Sequence, residues 1–183
     1  MKIIITGGSG FIGKKLVKGL IRENHDLTLL ARNPDKIKLN STKVKIIKFD
    51  ISKENKKLLE GIELPDLLIH LAWHGLPNYE DSFNIKDNLS NEIRFLGTLI
   101  SRGLKRILIT GTCLEYGRNC NGELSENHPT KPDTAYAIAK DTLRYLLENL
   151  LLKEKGILQW ARLFYIYGEG QREDSLFGQL EKA

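Results

Sequence analysis

The sequence is poor in cysteine. Cys113 and Cys120 are its only two. That excludes a disulfide framework and a four-cysteine zinc site, and a reducing compartment is the default. It also has no apolar stretch long enough to span a bilayer. No signal-peptide features precede the first apolar run, which starts directly after Met1-Lys2. The expectation is a cytoplasmic protein with no membrane partner. The net charge is +5, yet no unbroken basic block with interleaved aromatics occurs: the lysines are scattered through KKLVKGL, DKIKLN, KVKIIK and KENKK. This reads as a solvated surface rather than a nucleic-acid footprint, and it would tolerate an anionic ligand such as a nucleotide. No internal repeat, low-complexity segment or linker is visible.

What is present is an ordinary globular composition. With 183 residues, 41% of them hydrophobic and 28% charged, the chain suits one domain with a proper core, taken as 1–183. KIIIT is a short continuous apolar run, as in a strand buried on both faces. DLTLLAR, VKIIKFD, DLLIHLA, RILITGT and LQWARLFYIYG are further strand candidates. FIGKKLVKGLIREN has helical periodicity, NLSNEIRFLGTLISRG reads as a helix closed by Gly103, and TAYAIAKDTLRYLLENLLLKE as one closed near Gly156. Alternating strands and helices predict an α/β fold: a Rossmann-like doubly wound parallel sheet with helices on both faces.

The segment TGGSGFIG follows the first strand and opens the first helix. Its glycines, Gly7, Gly10 and Gly13, are spaced G-x-x-G-x-x-G, a variant of the dinucleotide fingerprint. Glycine at the strand end allows a tight turn, and a backbone without side chains lets a pyrophosphate approach. The helix N-terminus offers unpaired N–H groups and a positive dipole end to that anion. The cofactor set read from this turn is Gly7, Gly10, Phe11, Ile12 and Gly13. An acid at the end of the second strand would normally hold the adenine ribose 2′-hydroxyl. Here that end reads LLARN. Ala31 removes the carboxylate, and Arg32 could pair with a 2′-phosphate. NADP is therefore favoured, and NAD with a solvated Arg32 is the alternative.

YAIAK places Tyr136 and Lys140 on one face of a helix. A phenol with a pKa of about 10 is a poor base at neutral pH, and a neighbouring ammonium stabilises its anion. Such a pair suits a proton shuttle in alcohol oxidation or ketone reduction. Thr112 ends the RILITGT strand, where doubly wound sheets bind ligands, and its hydroxyl could donate to the same substrate oxygen. His70 and His74 are spaced as a metal pair, but they straddle a strand end with no third ligand near, so no metal is assigned.

Taken together, TGGSGFIG, FDI with Asp50, HLA from His70 to Ala72, Thr112 and the Tyr136/Lys140 pair resemble the extended short-chain dehydrogenase/reductases. More narrowly, they resemble the NAD(P)-dependent epimerase/dehydratase family acting on nucleotide sugars. The resemblance covers essentially the whole chain. It implies that Asp50 contacts the adenine with Ile51 beside it, and that Leu71 and Ala72 line the cofactor. It also implies that Asn88 opens the helix before the fifth strand, that Thr110 lies near the nicotinamide ribose and that Lys140 holds the ribose hydroxyls. Thr112, Tyr136 and Lys140 are the catalytic set. RLFYIYGEGQ is similar to the family pattern R-x-x-N-x-Y-G-P-G-Q, with Tyr165 in place of the asparagine and Glu169 in place of the proline.

The resemblance also implies a smaller C-terminal substrate domain and a homodimer through the helices at 88–102 and 134–152. The sequence stops at LFGQLEKA, so the expectation is a fragment that holds the cofactor domain and few of the sugar contacts. Three functions are compatible. A keto group of a nucleotide sugar is reduced with NADPH, a sugar carbon is epimerised with recycled cofactor, or the protein is a non-catalytic dinucleotide sensor. The intact Thr112, Tyr136 and Lys140 argue against the sensor, and Ala31/Arg32 leans toward reduction. Dehydratases of this family carry Asp-Glu directly after the threonine. Here Cys113 and Leu114 stand there, which makes dehydration the weakest reading.

Overall fold

The computed structural model of the protein describes residues 1–53, 56–171 and 175–180. Its strands are β1 (Lys2–Thr6), β2 (Asp26–Ala31), β3 (Val44–Lys48), β4 (Leu67–His70), β5 (Arg106–Thr112) and β6 (Ile157–Leu163). They form one sheet in the order β3-β2-β1-β4-β5-β6. Every pairing is parallel, with Ile5 of β1 between Leu29 and Ile69. The helices are α1 (Phe11–Arg22), α2 (Lys56–Gly61), α3 (Ser90–Ser101), α4 (Ala135–Lys153) and α5 (Leu176–Leu180). All six strands and the three long helices lie where the apolar patterns put them. The expected doubly wound sheet is the observed one.

The continuous apolar run of β1 is explained by what covers it. Successive side chains of a strand point to opposite faces. Ile3 and Ile5 enter one core with Leu27, Leu29, Ile69 and Val17 of α1. Ile4 enters the other with Leu68, Ile107 and Ile109, beneath Phe95, Leu96 and Leu99 of α3 and Leu143, Leu147 and Leu151 of α4. The central strands are covered on both faces, so their side chains there are mostly apolar, with Thr6 and His70 at the C-terminal ends of β1 and β4 as buried polar exceptions.

Two features were not expected. α2 is short and lacks a full apolar period. Before α3, residues Asn84–Leu89 form a wide π-helical turn, so the helical path starts before the NLSNEIRF segment. Asn88 therefore lies inside this turn rather than opening α3. Strand order reverses between β1 and β4, whose neighbours lead away in opposite directions. In this topology the C-terminal strand ends at such a reversal form the ligand crevice.

Candidate active site

The turn after β1 is built around its glycines. Gly7 has φ +71°, and a Cβ on it would stand 2.8 Å from the Ala72 nitrogen, on the segment leaving β4. A Cβ on Gly13 would collide with the Gly7 carbonyl oxygen. α1 thus packs against the turn at backbone distance. Gly10 donates its N–H to Gly7 O at 3.0 Å and caps α1 with no side-chain hydrogen bond. The first N–H groups of α1 are left for a ligand, as an anion cradle requires.

This cradle opens into a cavity of about 490 Å³ at the strand ends. Gly7, Gly10, Arg32, Asp50, Ile51, Leu71, Ala72 and Asn88 all line it. Burial raises the Asp50 carboxyl, but the Ser52 hydroxyl and N–H together with Arg32 outweigh it and hold the group below its ordinary range. Arg32 Nη1 lies 3.1 Å from His74 Nδ1. Asn88 donates to the His74 carbonyl at 2.9 Å, which ties the π-helical turn to the β4 exit. Phe11 and Ile12 stand apart from the cavity: their side chains line an apolar groove with Ile166 and Tyr167.

Beneath the cavity, Ala72 donates its N–H to Thr6 Oγ1 at 3.3 Å, and Thr6 Oγ1 lies 2.8 Å from His70 Nδ1. His70 Nε2 faces Glu92 Oε2 at 2.9 Å. Both ring nitrogens of His70 therefore face protein partners. Among the described residues no cluster of three His, Cys, Asp or Glu side chains is placed to hold a metal.

Thr112, Tyr136 and Lys140 come together beside a second cavity, of about 760 Å³, whose wall includes Thr112, Cys113, Tyr136 and Tyr165. Thr112 and Tyr136 are both almost fully buried. Burial pushes the Tyr136 phenol well above its ordinary pKa, with Tyr79, Glu115 and Cys113 adding to the rise and the nearby Thr112 side chain opposing it. The phenol is thus raised in this structure, where a lowering by Lys140 was expected. One helical turn on, Lys140 is 1% exposed. Its Nζ donates to the Thr110 carbonyl at 2.9 Å. Burial draws this ammonium down to about 8, against the upward pull of Glu92 and Glu115. Thr110 thus offers its backbone to the site.

Sequence reasoning missed three side chains here. Glu115 accepts the Thr112 N–H at 2.8 Å and closes a capping box with the Thr112 side chain. T-C-L-E at 112–115 matches that motif, so the signal was present. Asn84, fully buried, accepts the Trp73 indole N–H at 2.9 Å. Trp73 lines the first cavity and meets Tyr136 of the second edge-on at 5.5 Å. Tyr165, which stands where the family pattern has asparagine, has φ +36°, a region that asparagine tolerates better than an aromatic residue.

The profile of the NAD dependent epimerase/dehydratase family matches residues 3–180. A dTDP-6-deoxy-L-talose 4-dehydrogenase (NAD(+)) from Aggregatibacter actinomycetemcomitans is 29% identical over 185 residues, covering 100% of this chain and 68% of the relative. A dTDP-4-dehydro-6-deoxyglucose reductase from Escherichia coli is 28% identical over 190 residues, covering 96% of this chain and 59% of the relative. Among solved structures, UDP-glucuronic acid 4-epimerase from Bacillus cereus in complex with NAD superposes with a TM-score of 0.80 at 26% identity, covering 100% of this chain and 63% of the epimerase. The chain thus spans about three-fifths of the length of the reductase and of the epimerase.

Proposed function

The chain belongs to the NAD dependent epimerase/dehydratase family, and from that premise we propose that it forms the cofactor-binding part of an oxidoreductase acting on a nucleotide sugar. The reaction interconverts a hydroxyl and a keto group on a sugar carbon, in the direction of reduction. The observation that carries this reading is that Thr112 and Tyr136, both almost fully buried, stand in the wall of one cavity, with the Lys140 ammonium buried one helical turn on.

The glycine cradle and the cavity at the strand ends fit a dinucleotide, whose nicotinamide would supply or accept the hydride. Gly7, Gly10 and the start of α1 would hold its pyrophosphate. Tyr136 gives its proton to the keto oxygen in reduction and takes it back in oxidation. Thr112 polarises the same oxygen, and Lys140 favours the phenolate after the proton has left. Ala31 with Arg32 supports NADP(H). Two of the relatives are by name a reductase and a dehydrogenase. Elimination of water is the weaker chemistry: the Cys113 thiol, which follows Thr112, is raised by burial, and Leu114 has no titratable group. We also infer a homodimer through α3 and α4. Tyr145, Leu146, Leu150 and Leu152 leave apolar surface on α4, and light scattering of the complete protein tests it.

Epimerisation is the second reading, favoured by the superposition on an epimerase. Cofactor stoichiometry in the complete protein, with a panel of nucleotide sugars, separates the two. Reduction consumes one NAD(P)H per product, and epimerisation consumes none. Cofactor binding with no turnover on any keto or hydroxy sugar would support the sensor instead.

A further inference from the structure

Lys140 is held without an ion pair. Among the described residues no carboxylate stands within salt-bridge distance of its Nζ, because both nearby acids are committed elsewhere. Glu92 on α3 faces His70 of β4 at 2.9 Å, and Glu115 after β5 holds Arg162 of β6 at 2.7 Å. On its own helix stand Tyr136, one turn back, Asp141, which is held by Arg144 at 2.8 Å, and Arg144 itself, one turn on. Aromatic faces stand against the ammonium instead. Its Nζ lies 4.2 Å from the centroid of the Trp73 ring and 5.9 Å from that of Trp160. The second distance is at the outer limit of a useful cation–π contact, so Trp73 is the effective partner.

The Trp73 ring is not free to turn. Its N–H is taken by Asn84 Oδ1 at 2.9 Å, and the Asn84 amide nitrogen is tied to the Asn78 and Asp81 carbonyls at 2.8 and 3.0 Å. The same indole meets Tyr136 at 5.5 Å with an interplanar angle of 72°. One side chain therefore touches both members of the Tyr/Lys pair. We propose that Trp73 is a positioning residue whose indole face keeps Lys140 charged and in place beside Tyr136, through a cation–π contact where an ion pair would be expected. This rests on the reading of Tyr136 and Lys140 as the proton-handling pair.

The contact matters because the charge is finely balanced. Burial has already brought the ammonium down to about 8, so losing one stabiliser moves its charged fraction near neutral pH. An aromatic face attracts the cation without offering a site for its proton. A desolvated cation–π contact corresponds to roughly a tenfold or greater change in proton affinity.

The test is an NMR titration of Lys140 in the complete protein carrying 13C-labelled lysine, with tryptophan bearing one to four fluorines placed at position 73 alone. Fluorine drains electron density from the ring and barely changes its shape. The expected result is a stepwise fall in the proton affinity of Lys140, reaching about tenfold. Trp73→Leu should show the same loss, and Trp73→Phe should keep most of the affinity. If the leucine variant does not fold, the fluorinated series decides alone. A flat series would overturn the proposal. Because the readout is proton binding, absence of redox turnover would refute the proposed activity and leave this result standing.

Discussion

Arg162 Nε and Glu115 Oε2 stand 2.7 Å apart, and this pair holds the floor on which Thr112 rests. The Glu115 carboxylate is fully buried. It also takes the Thr112 N–H at 2.8 Å and the Trp160 indole N–H at 3.0 Å. The end of β5 is thereby fastened to β6 by side chains as well as by the strand ladder.

Glu115→Ala should be severely destabilising. It strands the Arg162 cation, an indole donor and a backbone N–H in the interior. Breaking a buried ion pair from one side costs about 3–5 kcal/mol. Urea unfolding followed by circular dichroism measures it, and a loss under about 1 kcal/mol would show that water reaches the site.

Tyr136→Phe in the complete protein should lower turnover by about 10²–10⁴-fold, the usual worth of general acid–base catalysis, while cofactor still binds. Thr112→Val should lose less, since it removes one hydrogen bond and leaves the proton path. Near-normal kcat for the phenylalanine variant would remove Tyr136 from the chemistry.

Two alanine substitutions in α1 should act in opposite directions. At Gly13 a Cβ would meet Gly8 Cα at 2.7 Å. Gly13→Ala should cost about 1–3 kcal/mol through overpacking and abolish dinucleotide binding. At Gly19 a Cβ meets nothing within 4 Å, so Gly19→Ala should stabilise by about 0.5–1 kcal/mol. Thermal melts with and without NAD test both.

NADP(H) should bind more tightly than NAD(H), and Arg32→Ala should weaken NADP(H) selectively. Fluorescence titration of the two reduced cofactors compares them. Equal losses for both would assign Arg32 to holding His74 rather than to the cofactor.

The pH dependence of stability should carry the mark of Lys140. Its pKa in the fold, about 8, lies below the ordinary value of 10.5. Between those values the unfolded chain binds more protons than the fold, so this group's contribution to stability improves as pH rises. Below about pH 8 the penalty is present in full. Relative to Lys140→Met, the wild type should therefore gain stability from pH 8 to pH 10.5. Urea midpoints of the two proteins at pH 7 and pH 10 give the difference, and a constant gap would contradict it.

The order of strands and helices could be read from the sequence because each long element carries its own periodicity. The glycine turn was legible for a related reason: Gly7 and Gly13 answer to steric demands within one short segment. Trp73 and Asn84 were not legible. Their meaning depends on a π-helical turn that has no apolar period, and on α4 arriving from more than fifty residues further along the chain. Glu115 was half legible. Its capping box is local, but its burial depends on Trp160 and Arg162, which only the β5–β6 pairing brings near. For Phe11 and Ile12 the motif speaks of backbone N–H groups, and it did not foretell that their side chains line an apolar groove with Ile166 and Tyr167.

Trp73 and Trp160 are the only tryptophans in the sequence, and both lie within 6 Å of the Lys140 ammonium. The indole emission of these 183 residues thus originates around one buried cation, beside the dinucleotide cavity. Its intensity and wavelength should respond to the charge on that lysine and to a ligand arriving over Trp73. Reduced nicotinamide absorbs where tryptophan emits, so an occupied site should also drain the signal by energy transfer. These residues carry their own optical gauge of occupancy.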